Sequence, residues 1–481
     1  MKLKEIINKI NYREFKNAKD MEIEFLCQDS KCCEDGALFI CLHGEKFNGE
    51  DFVFDAISNG AKAIVTENYL SEHSIPQIIV EDARLAMTEI ARVFYDYPDN
   101  DLKIVSVVGT NGKTTTSMVL CKILEDYGKR VGVIGTNGVY MGDLQLPSEL
   151  TTPDPIELYY TFDQMRLLGF EYVIMEASAH AIYLRKLYKM KNVATIFTNI
   201  SNEHLDFFET MEEYSNTKMN YVNSKNNEFM VVNIDDEYGR RIIKDAKIKY
   251  TTYGIFNPAS TFAIDIKTSM KGSSFICNSE DDIFKVQSKL VGDFNIYNML
   301  GAIACAKYLG VPSNVIVKAL CKMNRVDGRF NVFEMSKNRK VIVDFAHTPD
   351  GFDKTLGLIK KLRKGKIITL FGCVGYSDSK KRKEMGEVAS LYSDRIVITT
   401  DNPKNTDFNL INSDIIKGIN ASKDIDIIYD RKKAIEFAMG LMKTNDTLVL
   451  LGKGAEKYQK VDNSLVYYNE LEFVGKIIDK Y

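Results

Sequence analysis

Residues 107–117, VVGTNGKTTTS, have the types and spacing of a loop that binds a nucleoside triphosphate. Gly109 and Gly112 let backbone amides approach phosphate oxygens, and the start of a following helix adds a favourable dipole. Lys113 can reach the outer phosphates, and the Thr114 hydroxyl can bind Mg²⁺. A glycine turn that only caps a helix is the alternative interpretation, but the strand before the loop and the helix-forming residues after it disfavour that alternative.

Polar side chains also follow the next strand-like segments. Glu176, Ser178 and His180 lie in MEASAHA, and His204 and Asp206 lie in TNISNEHLDFF. Ligands of open α/β sheets bind at the carboxyl ends of the strands, so these side chains indicate a site at that edge. A lone histidine is more often structural than a ligand. Two of the five histidines at neighbouring strand ends, beside a phosphate loop, favour a binding role for His204.

Strand-like and helix-like segments alternate along most of the chain, which predicts an α/β fold with parallel, doubly wound sheets. The first ~100 residues read as short strands and loops, with a polar linker at 98–101. The predicted strands after this linker are 102–108, 131–135, 172–178, 193–200 and 229–235. A third segment repeats the alternation, with strands at 340–346, 366–372, 394–401, 424–430 and 446–452.

Composition excludes several classes of protein. The chain has 481 residues, of which 45% are hydrophobic and 27% charged, a balance typical of folded globular proteins. Its formal net charge of −3 gives no overall attraction to nucleic acid or to an anionic membrane. The charged start MKLKEIINK lacks an apolar signal-peptide core, and no apolar run is long enough to span a bilayer. Nine scattered cysteines without a CxxC pair indicate reduced thiols, so we expect a cytoplasmic protein without structural zinc.

A series of motifs follows the order found in one family of ligases. The motifs are GTNGKTTT, the TTP loop, EASAHA, TNISNEHLDF with EEYSNTK, GDFNIYN, VDGRF, DFAHTPD, GCVG with KR, DNPK and GKGAE. The chain therefore resembles the Mur ligases, and within them the MurE branch, which adds the third amino acid to UDP-N-acetylmuramoyl-L-alanyl-D-glutamate. The resemblance extends over nearly the whole chain, from Asp29 to Glu456.

The resemblance implies three domains and an ATP-dependent ligase of peptidoglycan precursor synthesis. The domains are a small mixed α/β N-terminal domain that binds UDP (1–100), a central P-loop parallel-sheet ATPase domain (101–325) and a C-terminal Rossmann-like α/β domain that binds the incoming amino acid (326–481). In this family ATP phosphorylates the acceptor carboxylate, and the amine of a free amino acid attacks the acyl phosphate. The implied cofactors are ATP and Mg²⁺, and the implied state is a monomer that neither binds nucleic acid nor inserts into membranes.

The resemblance also assigns roles to individual residues. The catalytic group is Lys113, Glu176, His204 and Lys218, with Lys218 as the lysine that the family carbamylates. The metal ligands are Thr114, Glu176, His204 and Lys218. The ATP-binding residues are Gly109, Thr110, Asn111, Gly112, Lys113, Thr114, Thr115, Asn295, Asn298, Arg329 and Asp344. The substrate-binding residues are Ser30, Thr151, Thr152, Ser178, Arg185, Lys186, His347, Ser377, Asp401, Asn402, Lys404, Gly452 and Glu456.

The departures from the family pattern cluster where the incoming amino acid binds. Tyr376 and Ser377 replace an Asp-Arg pair, Lys404 replaces the arginine of DNPR, and Ala455 replaces the histidine of GKGHE. The cation at Lys404 favours meso-diaminopimelate over L-lysine, although a lysine lacks the bidentate fork of an arginine. On the acceptor side, either Arg185 or Lys186 can supply the charge that the family takes from an arginine.

Two other interpretations remain open on the sequence alone. The chain could be a MurE-like paralogue that is non-catalytic or that adds a different amino acid, an interpretation motivated by Ser377 and Ala455. It could also be a ligase of the same superfamily that extends folate or another carboxylate, although the segment Asp29 to Lys31 resembles the UDP-binding domain of the MurE branch.

Overall fold

The computed structural model describes residues 1–44, 47–204, 207–280, 282–375, 379–461 and 464–481. Within these ranges the chain forms three large sheets of five, eleven and six strands and one two-stranded sheet. The three large sheets follow one another along the chain, in agreement with the three segments read from the sequence. The fold is therefore α/β with successive sheet-based units.

The first unit is a five-stranded sheet in the order β1-β5-β4-β3-β2, parallel except for the β1–β5 pair. Its strands are β1 Glu14–Lys16, β2 Phe25–Cys27, β3 Ala37–Ile40, β4 Ala61–Thr66 and β5 Gln77–Ile79. Its helices are α1 Leu3–Ile7, α2 Val53–Ser58 and α3 Ala83–Phe94. Asp82 caps α3 by accepting a hydrogen bond from the backbone N–H of Leu85, which satisfies one of the free amides of the first turn.

The central unit is an eleven-stranded sheet in the order β16-β15-β14-β13-β12-β11-β6-β10-β7-β8-β9. Its strands are β6 Lys103–Val108, β7 Val131–Gly135, β8 Gly138–Met141, β9 Leu144–Leu146, β10 Tyr172–Ala177, β11 Ala194–Phe197, β12 Phe229–Asn233, β13 Lys249–Gly254, β14 Thr261–Ser269, β15 Gly272–Ser279 and β16 Asp282–Ser288. Its helices are α4 Lys113–Asp126, α5 Pro155–Leu167, α6 Ala179–Tyr183, α7 Met211–Val222, α8 Glu237–Lys244, α9 Asp293–Tyr308 and α10 Ser313–Lys322. The middle of the sheet is parallel, as the alternation predicts, and consists of the adjacent strands β14, β13, β12, β11, β6, β10 and β7. Strands β8 and β9 at one edge and β15 and β16 at the other edge pair antiparallel with their neighbours.

The third unit is a six-stranded sheet in the order β17-β18-β22-β19-β20-β21, parallel except for the β17–β18 pair. Its strands are β17 Asn331–Met335, β18 Arg339–Asp344, β19 Ile367–Phe371, β20 Arg395–Ile398, β21 Asp424–Ile427 and β22 Thr447–Leu451, and a hairpin follows with β23 Tyr458–Val461 and β24 Ser464–Tyr467. Its helices are α11 Pro349–Leu362, α12 Ser379–Tyr392, α13 Phe408–Ile416, α14 Arg431–Leu441 and α15 Glu470–Ile477.

Strand β6 lies in the middle of the central sheet and is covered on both faces. Val105 and Val107 pack into one hydrophobic cluster, while Ile104 and Val108 pack into another. This double burial explains why the strand reads as a continuous apolar run in the sequence. The register pairs Glu176 at the end of β10 with Val107, so the ends of β6, β10 and β11 meet at one edge.

The cysteines differ in part from the sequence prediction. Cys27 and Cys33 form a disulfide with Cα atoms 5.9 Å apart, so the prediction of reduced thiols is wrong for this pair. The short turn between them, at Ser30–Cys32, returns the chain on itself and brings the two cysteines together. The other seven cysteines are free. Among the described residues, no helix combines the length and apolar character needed to cross a membrane.

A buried ion pair attaches the C-terminal helix to the third sheet. The Arg431 guanidinium donates to both carboxylate oxygens of Glu470 and to the carbonyls of Thr400 and Leu451, at 3.2 and 2.9 Å. Both charged side chains are almost completely buried. Removing one partner would leave the other charge buried without compensation, which is far more costly than losing a surface ion pair.

We expect Arg431→Met to lower the free energy of unfolding by about 3–5 kcal/mol. The matched control is Arg241→Met, because Arg241 forms an exposed pair with Glu237 and its loss should cost less than about 1 kcal/mol. Urea unfolding followed by circular dichroism compares the two variants. Equal stability of the two variants would contradict the structural role assigned to Arg431.

Candidate active site

A cleft of about 1080 Å³ lies at the carboxyl edge of the central sheet, where the third unit faces it. Most of the residues singled out from the sequence line this cleft. They are Gly109, Thr110, Asn111, Gly112, Lys113, Thr114, Thr115, Thr151, Thr152, Glu176, Ser178, Lys186, His204, Lys218, Asn295, Asn298, Arg329, Asp344 and His347. Ser30, Arg185, Asp401, Asn402, Lys404, Gly452 and Glu456 do not line it. Ser377 and Asp206 lie outside the described residues.

The phosphate loop connects the end of β6 to the start of α4. Gly112 has φ +87°, and a side chain at this position would collide with the Asn298 amide oxygen. The Lys113 Nζ donates to the carbonyls of Gly109 and Thr110, both at 2.9 Å. The loop therefore holds a cation against its own backbone at the amino end of a helix, an arrangement suited to phosphate.

Helix α9 forms a second wall beside this loop. Asn298 donates from Nδ2 to Asn295 Oδ1 at 3.1 Å, and Asn295 donates to the Val291 carbonyl at 2.9 Å. The Thr116 hydroxyl donates to Asn298 Oδ1 at 3.4 Å, which joins α9 to α4. The two asparagines predicted to lie near the nucleotide are thus oriented by hydrogen bonds at the cleft.

Arg329 reaches the phosphate loop from the third unit. Its Nη2 donates to the Thr114 hydroxyl at 2.9 Å, and its guanidinium lies 4.3 Å from the centre of the Phe345 ring. Asp344 accepts from the backbone N–H of Phe330 at 2.7 Å, which fixes the turn that carries Arg329. Burial raises the pKa of Asp344. The third unit therefore contributes a positive charge directly to the loop.

Glu176 lies beside the phosphate loop and is almost completely buried. Its two oxygens accept from the backbone N–H and the hydroxyl of Thr136, at 3.0 and 3.1 Å. Each carboxylate oxygen still has a lone pair for a further partner. Oxygen ligands from a carboxylate and the Thr114 hydroxyl fit Mg²⁺. In the described part of the chain, no three His, Cys, Asp or Glu side chains converge as a complete metal site, so further ligands would have to come from the nucleotide phosphates or other oxygen donors.

Glu203 is a cleft residue that the sequence analysis did not identify. Its carboxylate lies 3.2 Å from His347 Nε2 and 3.6 Å from His204 Nε2. Burial alone would raise the pKa of Glu203, but the hydrogen bond from His347 and the positive charge of Lys113 hold it well below the usual range. Burial lowers the pKa of His204 to about 4, so its imidazole is neutral near pH 7, the form that binds metals. The signal in the sequence was an acidic residue directly before a candidate histidine at a strand end.

Asp235 is a second cleft residue without a role in the sequence analysis. Its carboxylate accepts from the backbone N–H groups of Ile255, Phe256 and Asn257 at 2.6–2.9 Å and from the Tyr297 hydroxyl at 2.6 Å. Although burial opposes its ionisation, these hydrogen bonds lower its pKa to about 2. Asp235 therefore stays ionised and anchors the turn after β13 to helix α9.

Lys218 on α7 is buried directly beneath the phosphate loop. Its Nζ donates to the Thr110 hydroxyl at 3.3 Å and to the Tyr214 hydroxyl, and it lies 4.0 Å from the centre of the Tyr214 ring. Burial lowers the pKa of Lys218 well below its usual range, and the positive charge of Lys113 adds to the shift. Burial therefore favours the uncharged amine, which is the form that reacts with carbon dioxide.

Thr151, Thr152 and Ser178 present hydroxyls close to Glu176. Thr152 donates to the Glu176 carbonyl at 2.7 Å and lies 3.1 Å from the Ser178 hydroxyl, while Thr151 lies 3.1 Å from the Thr136 hydroxyl. The residues predicted to hold a polar acceptor are therefore contiguous with the carboxylate at the strand end.

The structure distinguishes Lys186 from Arg185. Lys186 is buried, lines the cleft and pairs with Asp154 at 2.7 Å. Arg185 leaves 56% of its side chain exposed and pairs with Asp82 of the first unit at 3.0 Å. Of the two cations that the sequence left open, Lys186 is the one at the cleft.

Ser30 lies in the first unit, away from the residues that line the cleft. It is buried in the turn between Cys27 and Cys33, and its carbonyl accepts from Asn59 at 2.9 Å. The neighbouring Gln28 donates to Asp154 at 3.0 Å, the same carboxylate that pairs with Lys186. Through Asp154, this turn is connected to the cation at the cleft.

The remaining predicted residues form a second group at the carboxyl edge of the third sheet. Asp401 and Asn402 follow β20, Gly452 and Glu456 follow β22, and Lys404 lies two residues beyond Asn402 with φ +52°. Asn402 donates to Glu456 at 3.2 Å, which joins the two loops. Burial raises the pKa of Asp401.

A close contact between two loops connects this second group to the cleft. Gly328, next to Arg329, has φ +71° and packs so tightly against Ala455 that a side chain at Gly328 would collide with the Ala455 backbone. The loop that carries Arg329, whose side chain reaches the phosphate loop, therefore contacts the loop that carries Glu456.

Comparison with known families and proteins assigns all three units to one group. The family descriptions that match are "Mur ligase family, catalytic domain" over 22–95, "Mur ligase middle domain" over 107–306 and "Mur ligase, glutamate ligase domain" over 328–454. The chain is 37% identical over 481 residues to UDP-N-acetylmuramoyl-L-alanyl-D-glutamate–2,6-diaminopimelate ligase 1 of Clostridium acetobutylicum, with 99% of each chain covered. It is 36% identical over 480 residues to the ligase of the same name from Caldanaerobacter subterraneus, again with 99% of each covered.

Solved structures agree with this assignment. A structure titled UDP-N-acetylmuramoyl-L-alanyl-D-glutamate–2,6-diaminopimelate ligase is 28% identical, with a TM-score of 0.66 and 95% of each chain covered. MurF from Acinetobacter baumannii is 20% identical, with a TM-score of 0.68 and coverage of 93% of this chain and 95% of that one. The second likeness shows a shared fold.

The buried amine of Lys218 leads to a prediction that does not depend on turnover. Because burial favours the uncharged amine, we expect carbon dioxide to add to Nζ, which then loses a proton and becomes a carbamate. Protein equilibrated with ¹³C-bicarbonate near neutral pH should show a carbamate carbon signal by NMR that Lys218→Met lacks. Lys122→Met is the control, because Lys122 is a partly exposed lysine paired with Asp126 on α4. An unchanged carbamate signal in Lys218→Met would refute the assignment.

Proposed function

Because the chain belongs to the Mur ligase family, we propose that it uses ATP to join a free amino acid to UDP-N-acetylmuramoyl-L-alanyl-D-glutamate. The γ-phosphoryl group of ATP passes to the terminal carboxylate of the acceptor and gives ADP and an acyl phosphate. The amine of the amino acid then attacks the acyl carbon, phosphate leaves and an amide forms. The observation that carries the proposal is a single cleft in which the phosphate loop, the acceptor hydroxyls and the buried Lys218 meet.

The nucleotide side of the cleft stabilises negative charge. Lys113 and the loop amides face the phosphates, and Arg329 brings a second cation from the third unit. Fixed positive charge in a partly enclosed site stabilises the phosphoryl group as it transfers, without reorganisation of water. Asn295 and Asn298 hold the nucleoside end, and Asp344 supports the turn that carries Arg329.

The chain offers ligands for Mg²⁺ at two places in this cleft. Thr114 and Glu176 would hold one ion, and His204 with the Lys218 carbamate would hold another. A bound Mg²⁺ supplies neutralisation of phosphate charge. Glu203 keeps His204 and His347 in place through its ionised carboxylate. The conversion of Lys218 from an amine to a carbamate adds oxygen donors where an ammonium would repel a metal.

We place the acceptor beside the hydroxyl side chains near Glu176 and beside Lys186. Thr151, Thr152 and Ser178 present hydroxyls beside Glu176, and Lys186 contributes a cation for the acceptor. We assign the UDP end to the first unit (1–100), near Ser30, ATP to the central unit (101–325) and the incoming amino acid to the third unit (326–481). The family descriptions fall within these three ranges.

The incoming amino acid is meso-diaminopimelate in this proposal, with L-lysine as the next candidate. The relatives with 36–37% identity over the full chain are 2,6-diaminopimelate ligases by name. Lys404 keeps a cation for the distal carboxylate, and Glu456 keeps a carboxylate for the distal ammonium. Asp401, Asn402 and Gly452 shape the same pocket, and Ser377 belongs to the predicted set outside the described residues. The family resemblance further supports a cytoplasmic monomer in peptidoglycan precursor synthesis.

Phosphate release tests the proposal. The assay contains ATP, Mg²⁺ and UDP-N-acetylmuramoyl-L-alanyl-D-glutamate and is scanned with meso-diaminopimelate, L-lysine, L-ornithine and the standard amino acids. We expect meso-diaminopimelate to give the strongest stimulation. Stimulation by another amino acid instead would indicate altered specificity, and binding of ATP and acceptor without any turnover would indicate a non-catalytic paralogue.

The positions of Lys186 and Arg185 predict different effects of mutation. Lys186→Met should raise the KM for the UDP-linked acceptor about tenfold, equivalent to ~1.4 kcal/mol, because a cation is lost at the cleft. Arg185→Met is the matched control and should leave this KM within about twofold, because its side chain faces Asp82. An equal KM for the acceptor in Lys186→Met and Arg185→Met would show that Lys186 has no special role in acceptor binding.

A further inference from the structure

Lys453 is a fully buried lysine in the loop after β22, and the sequence analysis gave it no role. Its Nζ donates to the amide oxygen of Asn402 at 3.0 Å, to the carboxylate of Glu456 and to the carbonyl of Tyr458 at 2.9 Å. An ammonium has three protons, so these three acceptors use all of them. Lys453 is therefore committed to the protein and has no proton left for a substrate.

The same contacts determine which way the Asn402 side chain points. Its amide oxygen accepts from Lys453 and from the backbone N–H of Lys460 at 2.9 Å, so its NH₂ group must face Glu456. The opposite orientation would place the NH₂ group against two donors. The backbone carbonyl of Asn402 also accepts from Gly375 at 2.9 Å, which ties the loop after β19 to the same centre.

The Glu456 carboxylate is held through one oxygen only. Oε2 accepts from both Lys453 and Asn402, and among the described residues no donor reaches Oε1. About a third of the Glu456 side chain is exposed, in contrast to the buried Lys453. The network thus orients Glu456 with one oxygen satisfied by the protein and the other available to a ligand.

We propose that Lys453 is a positioning residue that sets the specificity of the amino-acid pocket by fixing Asn402 and Glu456. The proposal rests on the proposed function, since these two residues are the ones assigned to the incoming amino acid. Lys453 joins the loops that follow β20 and β22 to the β23–β24 hairpin, so it controls the spacing of groups that the chain brings from distant positions. Its effect should be confined to the amino acid, because none of its three hydrogen-bond acceptors lines the phosphate cleft.

The test compares Lys453→Met with Lys457→Met in the phosphate-release assay, using the amino acid that stimulates the wild-type protein most. Methionine keeps the length of the lysine but removes the ammonium, while Lys457 is an exposed lysine of the same segment. We expect Lys453→Met to raise the KM for the amino acid at least about tenfold, with the KM for ATP and for the acceptor within about twofold. Lys457→Met should leave all three within about twofold.

Two further variants show how Lys453 acts. Glu456→Gln combined with Lys453→Met should raise the KM for the amino acid no more than the larger single change, because both disturb one network. Lys453→Arg keeps a cation and should raise it less than Lys453→Met. If Lys453→Met does not fold, the test uses Lys453→Arg instead. The proposal then requires that this variant raise the KM for the amino acid and leave the KM for ATP and for the acceptor unchanged.

Two results would overturn the proposal. One is an unchanged KM for the amino acid in Lys453→Met, and the other is an equal rise in the KM for all three substrates, which would indicate a general structural role. A wild-type protein that turns over with no amino acid is a separate outcome, because it would contradict the proposed function before any variant is compared.

Discussion

The close packing of the phosphate loop against its surroundings is the constraint on which the rest of the site depends. The carbonyl of Asn111 accepts from Thr198 at 2.7 Å and from Asn199 at 3.0 Å, and its side chain donates to Asp350 of the third unit at 2.7 Å. Thr110 lies 2.9 Å from the Tyr214 hydroxyl on α7. The residues after strand β11, helix α7 and the third unit thus all contact two consecutive residues of the loop, Thr110 and Asn111.

Several ionisable side chains of the cleft are buried, and the effect of burial on their pKa depends on the groups that surround them. Glu203 is buried but accepts a hydrogen bond from His347 and lies near Lys113, so it stays ionised, and it lies between His204 of the central unit and His347 of the third. Lys218 is buried, its Nζ donates to two hydroxyls and lies over an aromatic ring, and burial together with the charge of Lys113 lowers the pKa of its amine well below the usual range. Burial of a charged group therefore has different results at the two positions: Glu203 remains an anion because its partners offset the cost, whereas at Lys218 the uncharged amine is favoured.

Contacts between the central and third units bring the two ligand regions together. Arg329 binds Thr114, His347 binds Glu203, and the loop before Arg329 packs on Ala455. A ligase of this kind must hold an acyl phosphate and an attacking amine in line, and such alignment accounts for much of the rate. The tight contact between Gly328 and Ala455 ties the loop that carries Glu456 to the loop that carries Arg329.

Sequence by itself determined the features that depend on local spacing. The glycines of 107–117 predict a tight turn between a strand and a helix, and the apolar runs predict buried parallel strands, both of which the structure confirms. Tertiary structure alone decided the rest: the Glu203–His347 pair, the choice of Lys186 over Arg185, the Cys27–Cys33 disulfide and the Lys453 network. The reason is that burial and pairing of a side chain depend on residues far away in the sequence, whereas loop and strand geometry depends on neighbours.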